Sequence, residues 1–249
     1  LHLIISSYLR KSKEGIQWGV DRLVSWANDL FKKDIAFSQS INSNWEVPKE
    51  KYPPAALSEF YYSDPDAVEK CLSSISRLTA ALKSFMTNPL YSEFRLKGIQ
   101  PESIIEGFIK LHTVTPCKID GRVDLAYKDD STIRVVDWKL GNEDGIGDDS
   151  LQLAAYGLWA VETMKYSPES IRVCKVHFGS EAIVNFDCNS QVLSTARARI
   201  MQDAERMAFL EDYGKNACIE AFTPCAQESL CRQCAYLGIC GEGKEVIYA

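Results

Sequence analysis

The sequence predicts an α/β protein with one mixed sheet layered between helices, and three observations carry that reading. Apolar residues recur at three-and-four spacing through much of the first half. Five short Ile/Val-rich segments then follow, punctuated by turn residues. Their order is helices, three strands, a helix, two strands, a helix and a cysteine-rich tail, which fits a layered core.

GIQWGVDRLVSWANDLF places Val20, Leu23, Val24, Ala27, Leu30 and Phe31 on one side of an amphipathic helix. Pro48, Pro53 and Pro54 mark a loop. Ser63-Asp64-Pro65 opens the next helix, with proline in its first turn. Its expected buried stripe is Val68, Leu72, Ile75, Leu78, Leu82 and Met86, and Asn88-Pro89 ends it. IIEGFIKLHT, CKIDGRVDLAYK and STIRVVDWKLG read as strands, separated by Pro116 and by Lys128-Asp129-Asp130-Ser131. The acidic NEDGIGDDS loop leads into a helix over about 150–165. SIRVCKVHFG and SEAIVNFDCN are two further strands, with Gly179-Ser180 as their hairpin turn. A long helix covers roughly 190–212. The expected organisation is a helical N-terminal region over 1–102 packed on the core, a core over 103–215, and a cysteine-rich tail over 216–249.

Composition sets limits. The chain has 249 residues, 46% hydrophobic and 25% charged, with a net charge of −6, which excludes disorder as the main state. No apolar run approaches the roughly 20 residues of a membrane helix. The opening LHLIISSYLRKSK is broken by Ser and Tyr and does not read as a signal peptide. Nine cysteines are an odd number in a chain long enough to bury a core without staples. Cys71, Cys117, Cys174 and Cys188 are scattered in apolar contexts and read as reduced, buried residues. The compartment is expected to be reducing: a cytoplasm or nucleoid.

Polar residues in the third strand carry the chemistry. Residues two apart on a strand share a face, so Asp137 and Lys139 point one way and Trp138 the other. A two-residue Asp129-Asp130 turn places Asp124 opposite Val135, with Asp137 its diagonal neighbour. Two adjacent carboxylates repel unless one is protonated or a cation lies between them. Mg²⁺ with oxygen ligands answers that need. Charged residues in so apolar a strand are costly unless used.

GRVDLAY, IRVVDWKLG and LQLAAY together resemble the core of the PD-(D/E)xK nuclease superfamily, in its RecB-type branch. The motifs are G-x-x-D, D/E-x-K and Q-x-x-x-Y: Gly121 with Asp124, Asp137 with Lys139, and Gln152 with Tyr156. Glu106 matches an acid that precedes G-x-x-D in many members. The resemblance covers roughly 103–160. It implies a restriction-endonuclease-like core and a Mg²⁺- or Mn²⁺-dependent deoxyribonuclease. Asp124, Asp137 and the Trp138 carbonyl would hold the metal. Lys139 would orient the attacking water and stabilise charge on the phosphate, while Gln152 and Tyr156 would face the site from one helix side. The branch also places a metal-binding His on an N-terminal helix. Of His2, His112 and His177, none fits by position in the sequence.

The tail reads C-x5-C-x2-C-x5-C through Cys225, Cys231, Cys234 and Cys240. Such crowding usually means a metal, and both zinc and iron–sulfur accept four thiolates. The resemblance leans toward a 4Fe–4S cluster, because several RecB-type nucleases close with C-x2-C-x5-C.

A net charge of −6 argues against broad duplex binding. Local basic residues are Lys118, Arg122, Arg134, Lys175, Arg197 and Arg199. The expected substrate is DNA, at ends or as single strands, in repair, recombination or antiviral defence. Weak intrinsic affinity points to delivery by a helicase, a recombination protein or a CRISPR-type partner, with no membrane involved. The competing reading is a weak or inactive nuclease-like module that binds DNA or a protein.

Overall fold

The computed structural model describes residues 1–41, 46, 48–111, 119–142, 150–212, 225–232, 234 and 236–248. His112, Cys117, Lys118, Cys218 and most of the acidic NEDGIGDDS loop lie outside these residues. The chain forms two compact units. The first comprises 1–29 and 73–209, and the second 30–72 and 210–249.

The first unit is built on five strands: β1 (Ile104–Leu111), β2 (Ile119–Asp129), β3 (Thr132–Lys139), β4 (Ile171–His177) and β5 (Ala182–Phe186). They lie in sequence order across the sheet. All neighbours are antiparallel except β3 and β4. Parallel neighbours need a crossover, and α6 (Ser150–Glu162) supplies it. The mixed sheet flanked by helices is the predicted α/β architecture.

One sheet face packs on α6 and α7 (Ser190–Asp212). Its core includes Val123, Ala126, Val135, Val173, Leu153, Trp159 and Leu193. Gly157 lets α6 approach closely, since a Cβ there would lie 2.8 Å from Leu193 Cδ2 and 3.1 Å from Cys188 Sγ. The opposite face is aromatic. Trp138 meets Phe94 and Phe85 edge-on, with centroids 5.4 and 5.9 Å away. Tyr91 and Phe178 complete that layer, 5.0 Å apart. Phe85 belongs to α4 (Ala67–Thr87) and Phe94 to α5 (Ser92–Gly98). Burying each such ring fully is worth about 1.5–3 kcal/mol.

An N-terminal helix, α1 (His2–Lys13), was not among the predicted elements. It buries Ile4, Ile5 and Leu9, and Arg10 Nη2 donates to the Ile105 carbonyl of β1. The predicted amphipathic helix is α2 (Val20–Ser40), with Leu23 and Ala27 buried. The stripe expected on α4 holds only in part. Leu82 is buried, whereas Val68 and Leu72 are 57% and 60% exposed and Cys71 and Phe85 are buried instead. The first turns of α4 belong to one compact unit and the rest to the other. A single apolar stripe therefore does not run its length.

Two turns also differ from expectation. Asp129 pairs with Thr132, so the β2–β3 turn is Asp130-Ser131, with Asp130 at φ +51°. The β4–β5 pairing ends at His177 and Ala182, which makes Phe178–Glu181 a four-residue connection. Gly179 serves there for close packing: a Cβ would lie 2.9 Å from the Gly141 carbonyl carbon.

The second unit holds the remainder of α2, the start of α4, α3 (Ser58–Tyr61), α8 (Glu228–Cys231) and α9 (Gly241–Tyr248). Asp34 and Ser38 of α2 fix the Pro-rich segment by accepting from the backbone N–H of Ala55 and Leu57. Among the described residues, no helix is long and apolar enough to cross a membrane.

Candidate active site

The polar site lies where β2 and β3 part. Their pairing ends at Leu125 and Val136. One step further, Asp124 faces Asp137 rather than Val135, because the turn sits one residue later than Asp129-Asp130 predicts. Glu106 stands opposite Asp124, between the pairs Ile105–Leu125 and Gly107–Val123. Side-chain alternation breaks at this point. Val123 and Ala126 both face the α6 core, and Glu106 has φ +53°. Such a local kink re-aims side chains beside functional sites. Gly107 is required next to it, since a Cβ there would come within 2.2 Å of Ile104 Cγ2.

The re-aimed Asp124 is 8% exposed, and its Oδ2 accepts a hydrogen bond from the Trp138 N–H at 2.8 Å. His2, in the first turn of α1, brings Nε2 to 2.8 Å from the Trp138 carbonyl oxygen and 3.3 Å from Asp124 Oδ2. The hydrogen bond to Asp124 holds the imidazole above its ordinary pKa, against its burial. The expectation that no histidine fits is therefore overturned. His2 lies at the end of the chain in sequence, yet helix α1 folds back along β1 and carries it to the site. Ile4, Ile5 and Leu9 at helical spacing are the signal that would have revealed this helix.

Asp137 is 3% exposed. Its Oδ1 lies 3.3 Å from the Gln152 amide nitrogen and 3.3 Å from the Tyr156 hydroxyl. Its Oδ2 makes an ion pair with Lys139 Nζ at 3.0 Å. Lys139 Nζ also donates to Gln152 Oε1 at 3.4 Å, and Gln152 Nε2 donates to the Tyr156 oxygen at 2.7 Å. Tyr156 reaches back to the Arg122 carbonyl at 3.2 Å. Burial pushes the Asp137 carboxyl above its usual range and Asp124 adds to the shift, while Lys139 and Tyr156 oppose it. Burial first, and then Asp137, raise the Tyr156 phenol.

The donor chemistry fits a hard divalent cation. His2, Asp124 and the Trp138 carbonyl converge, the Glu106 Oε1 atom is buried without a partner among the described residues, and the Asp137 carboxyl is buried and near the charge of Asp124. Among the described residues, no three His, Cys, Asp or Glu side chains gather into a ready metal set. The converging donors are two side chains and one backbone oxygen, while Asp137 is turned toward Lys139, Gln152 and Tyr156. His177 is buried on the same face, beside Lys139 in the β3–β4 register, and neither ring nitrogen has a partner among the described residues.

The tail cysteines behave differently. Cys225 is exposed, Cys231 buried, and Cys234 and Cys240 half-buried, all as free thiols. Cys240 Sγ accepts from the Gly243 N–H at 3.3 Å. The four do not gather into a ligand set among the described residues. Of the basic residues, Arg134 pairs with Glu93, Arg197 with Glu162 and Arg199 with Asp203.

The family model of the PD-(D/E)XK nuclease superfamily matches residues 2–241. The chain belongs to that superfamily. A solved structure described as the crystal structure of SSO0001 is similar over 87% of this chain and 96% of its own, at 15% identity and a TM-score of 0.39. No curated protein matches.

Proposed function

We propose that the protein is a Mg²⁺- or Mn²⁺-dependent deoxyribonuclease that hydrolyses phosphodiester bonds at DNA ends or in single strands. The observation that carries this reading is the convergence of His2, Asp124 and the Trp138 carbonyl beside the Asp137–Lys139–Gln152–Tyr156 network. In hydrolysis the water oxygen joins phosphorus and the bond to the leaving sugar oxygen breaks. Lys139 holds the attacking water and offsets charge that develops on the phosphate oxygens. Gln152 and Tyr156 fix the Asp137 carboxylate, and the Trp138 N–H fixes that of Asp124. His2, Asp124 and the Trp138 carbonyl would hold a divalent cation, which would supply Lewis-acid polarisation of the phosphate and acidify water.

The competing reading, a non-catalytic module, rests on a missing histidine and on the acidic surface; the position of His2 removes the first ground. The net charge of −6 supports delivery to DNA by a partner such as a helicase, a recombination protein or a CRISPR-type integrase, in repair or defence at the nucleoid. End-labelled single- and double-stranded DNA incubated with Mg²⁺, Mn²⁺ or EDTA tests the function. Cleavage is expected with either metal and none with EDTA. A folded protein that binds DNA and cuts under none of these conditions would restore the competing reading.

A further inference from the structure

We propose that Phe108 and Arg122 form a subsite for one nucleotide of a single DNA strand, the ring stacking on a base and the guanidinium pairing with the adjacent phosphate. This rests on the nuclease reading and deepens it. Strands β1 and β2 stay paired through Leu111 and Ile119, well past the Leu125–Val136 pair where β2 leaves β3. They continue beyond the site as a two-stranded ribbon. Phe108 and Arg122 are direct cross-strand partners on that ribbon. Their neighbours Ile109 and Val123 are buried in the core, so the pair occupies the ribbon's outer face. Phe108 is 61% exposed.

The Arg122 guanidinium carbon lies 5.5 Å from the Phe108 ring centroid, and Nη1 pairs with Glu106 Oε2 at 3.5 Å. The guanidinium covers one side of the ring and is itself half-exposed, which leaves both cation and ring available to a ligand. Arg122 is also tied to the reacting centre, because its carbonyl accepts from Tyr156, whose hydroxyl touches Asp137. An aromatic ring beside a cation is the pairing that single strands use, with a base on the ring and a phosphate on the charge. Bases in the interior of a duplex are stacked on both sides and offer no free face to such a ring, so away from duplex ends the subsite discriminates for unpaired nucleotides.

The test measures binding of a fluorescein-labelled oligothymidylate and of a blunt duplex of equal length, in EDTA to prevent cleavage. Phe108→Ala is expected to weaken oligothymidylate binding on the order of ten- to a hundredfold and to leave duplex binding unchanged. Phe108→Trp should retain wild-type affinity. Arg122→Gln should weaken oligothymidylate binding and flatten its salt dependence. A strand carrying abasic linkers should bind wild type no better than oligothymidylate binds Phe108→Ala. Three results would overturn the subsite: oligothymidylate affinity independent of Phe108, equal losses for strand and duplex, or no measurable wild-type binding. A change in self-association alone would assign Phe108 to a protein contact instead. Failure of the catalytic reading looks different: the wild type would not cut DNA with Mg²⁺ or Mn²⁺, yet its affinity for the strand would still depend on Phe108.

Discussion

The polar site and the cysteine tail were equally conspicuous in the sequence, yet the fold treats them differently. Asp137, Lys139, Gln152 and Tyr156 meet within 3.4 Å of one another through a chain of contacts. The four tail cysteines are closer in sequence and do not gather. A strand and a helix of known period fix the directions of the first group before any packing occurs. Cys231 ends α8, Cys240 immediately precedes α9, and Cys225 and Cys234 lie outside both helices, where spacing alone sets no direction. Proximity in sequence becomes proximity in space only where regular backbone enforces it.

The comparison breaks most visibly at Asp137 and Lys139. Asp137→Ala and Lys139→Ala should each lower the cleavage rate on the order of 10²-fold or more. Melting temperature should hold or rise for Asp137→Ala, because a buried carboxyl under repulsion is removed. Equal activity in Lys139→Ala would leave the polar site without a catalytic role. A smaller effect is expected at His2. His2→Ala should require about 10- to 100-fold more Mn²⁺ for half-maximal activity, and saturating metal should recover much of the rate. An unchanged metal requirement would return His2 to the surface.

Thiol replacements carry the smallest effects and sharpen the contrast. Cys174 is fully buried, so Cys174→Ser places a hydroxyl in apolar surroundings and should cost about 1–3 kcal/mol. Exposed Cys225→Ser should fall within about 0.5 kcal/mol of wild type. Denaturant unfolding separates the two. A large loss in Cys225→Ser, accompanied by loss of bound iron or zinc, would reinstate a four-thiolate centre.

The strands were legible in the sequence because Ile133–Val136 and Ile171–Val176 are short, rich in β-branched residues and bounded by turn residues. The motif acids were legible because their spacing matches strand and helix periods. His2 was not, since its importance depends on α1 folding back along β1, a long-range event that local pattern does not encode. The β2–β3 register slipped because two adjacent dipeptides, Asp129-Asp130 and Asp130-Ser131, both carry turn chemistry. Core packing decided between them. Strict alternation does not carry through the kink at Glu106, where Val123 and Ala126 both face the α6 core.

The hydrogen bond from the Trp138 N–H to Asp124 Oδ2 has a further meaning. Past the Leu125–Val136 pair, that N–H has lost the neighbouring strand's carbonyl, and a side chain stands in for the missing rung. Asp124 thus serves as a piece of backbone and as an anion at once, and the two duties are separable by substitution. Asp124→Asn keeps an acceptor for the N–H and removes the charge, so it should melt near wild type and bind metal poorly. Asp124→Ala loses the rung as well and should melt lower, by the cost of one buried unsatisfied donor, about 1–3 kcal/mol. Equal melting of the two variants would mean that the strand end needs no substitute rung. A difference would mean that one carboxylate both closes the sheet and carries charge at its open end.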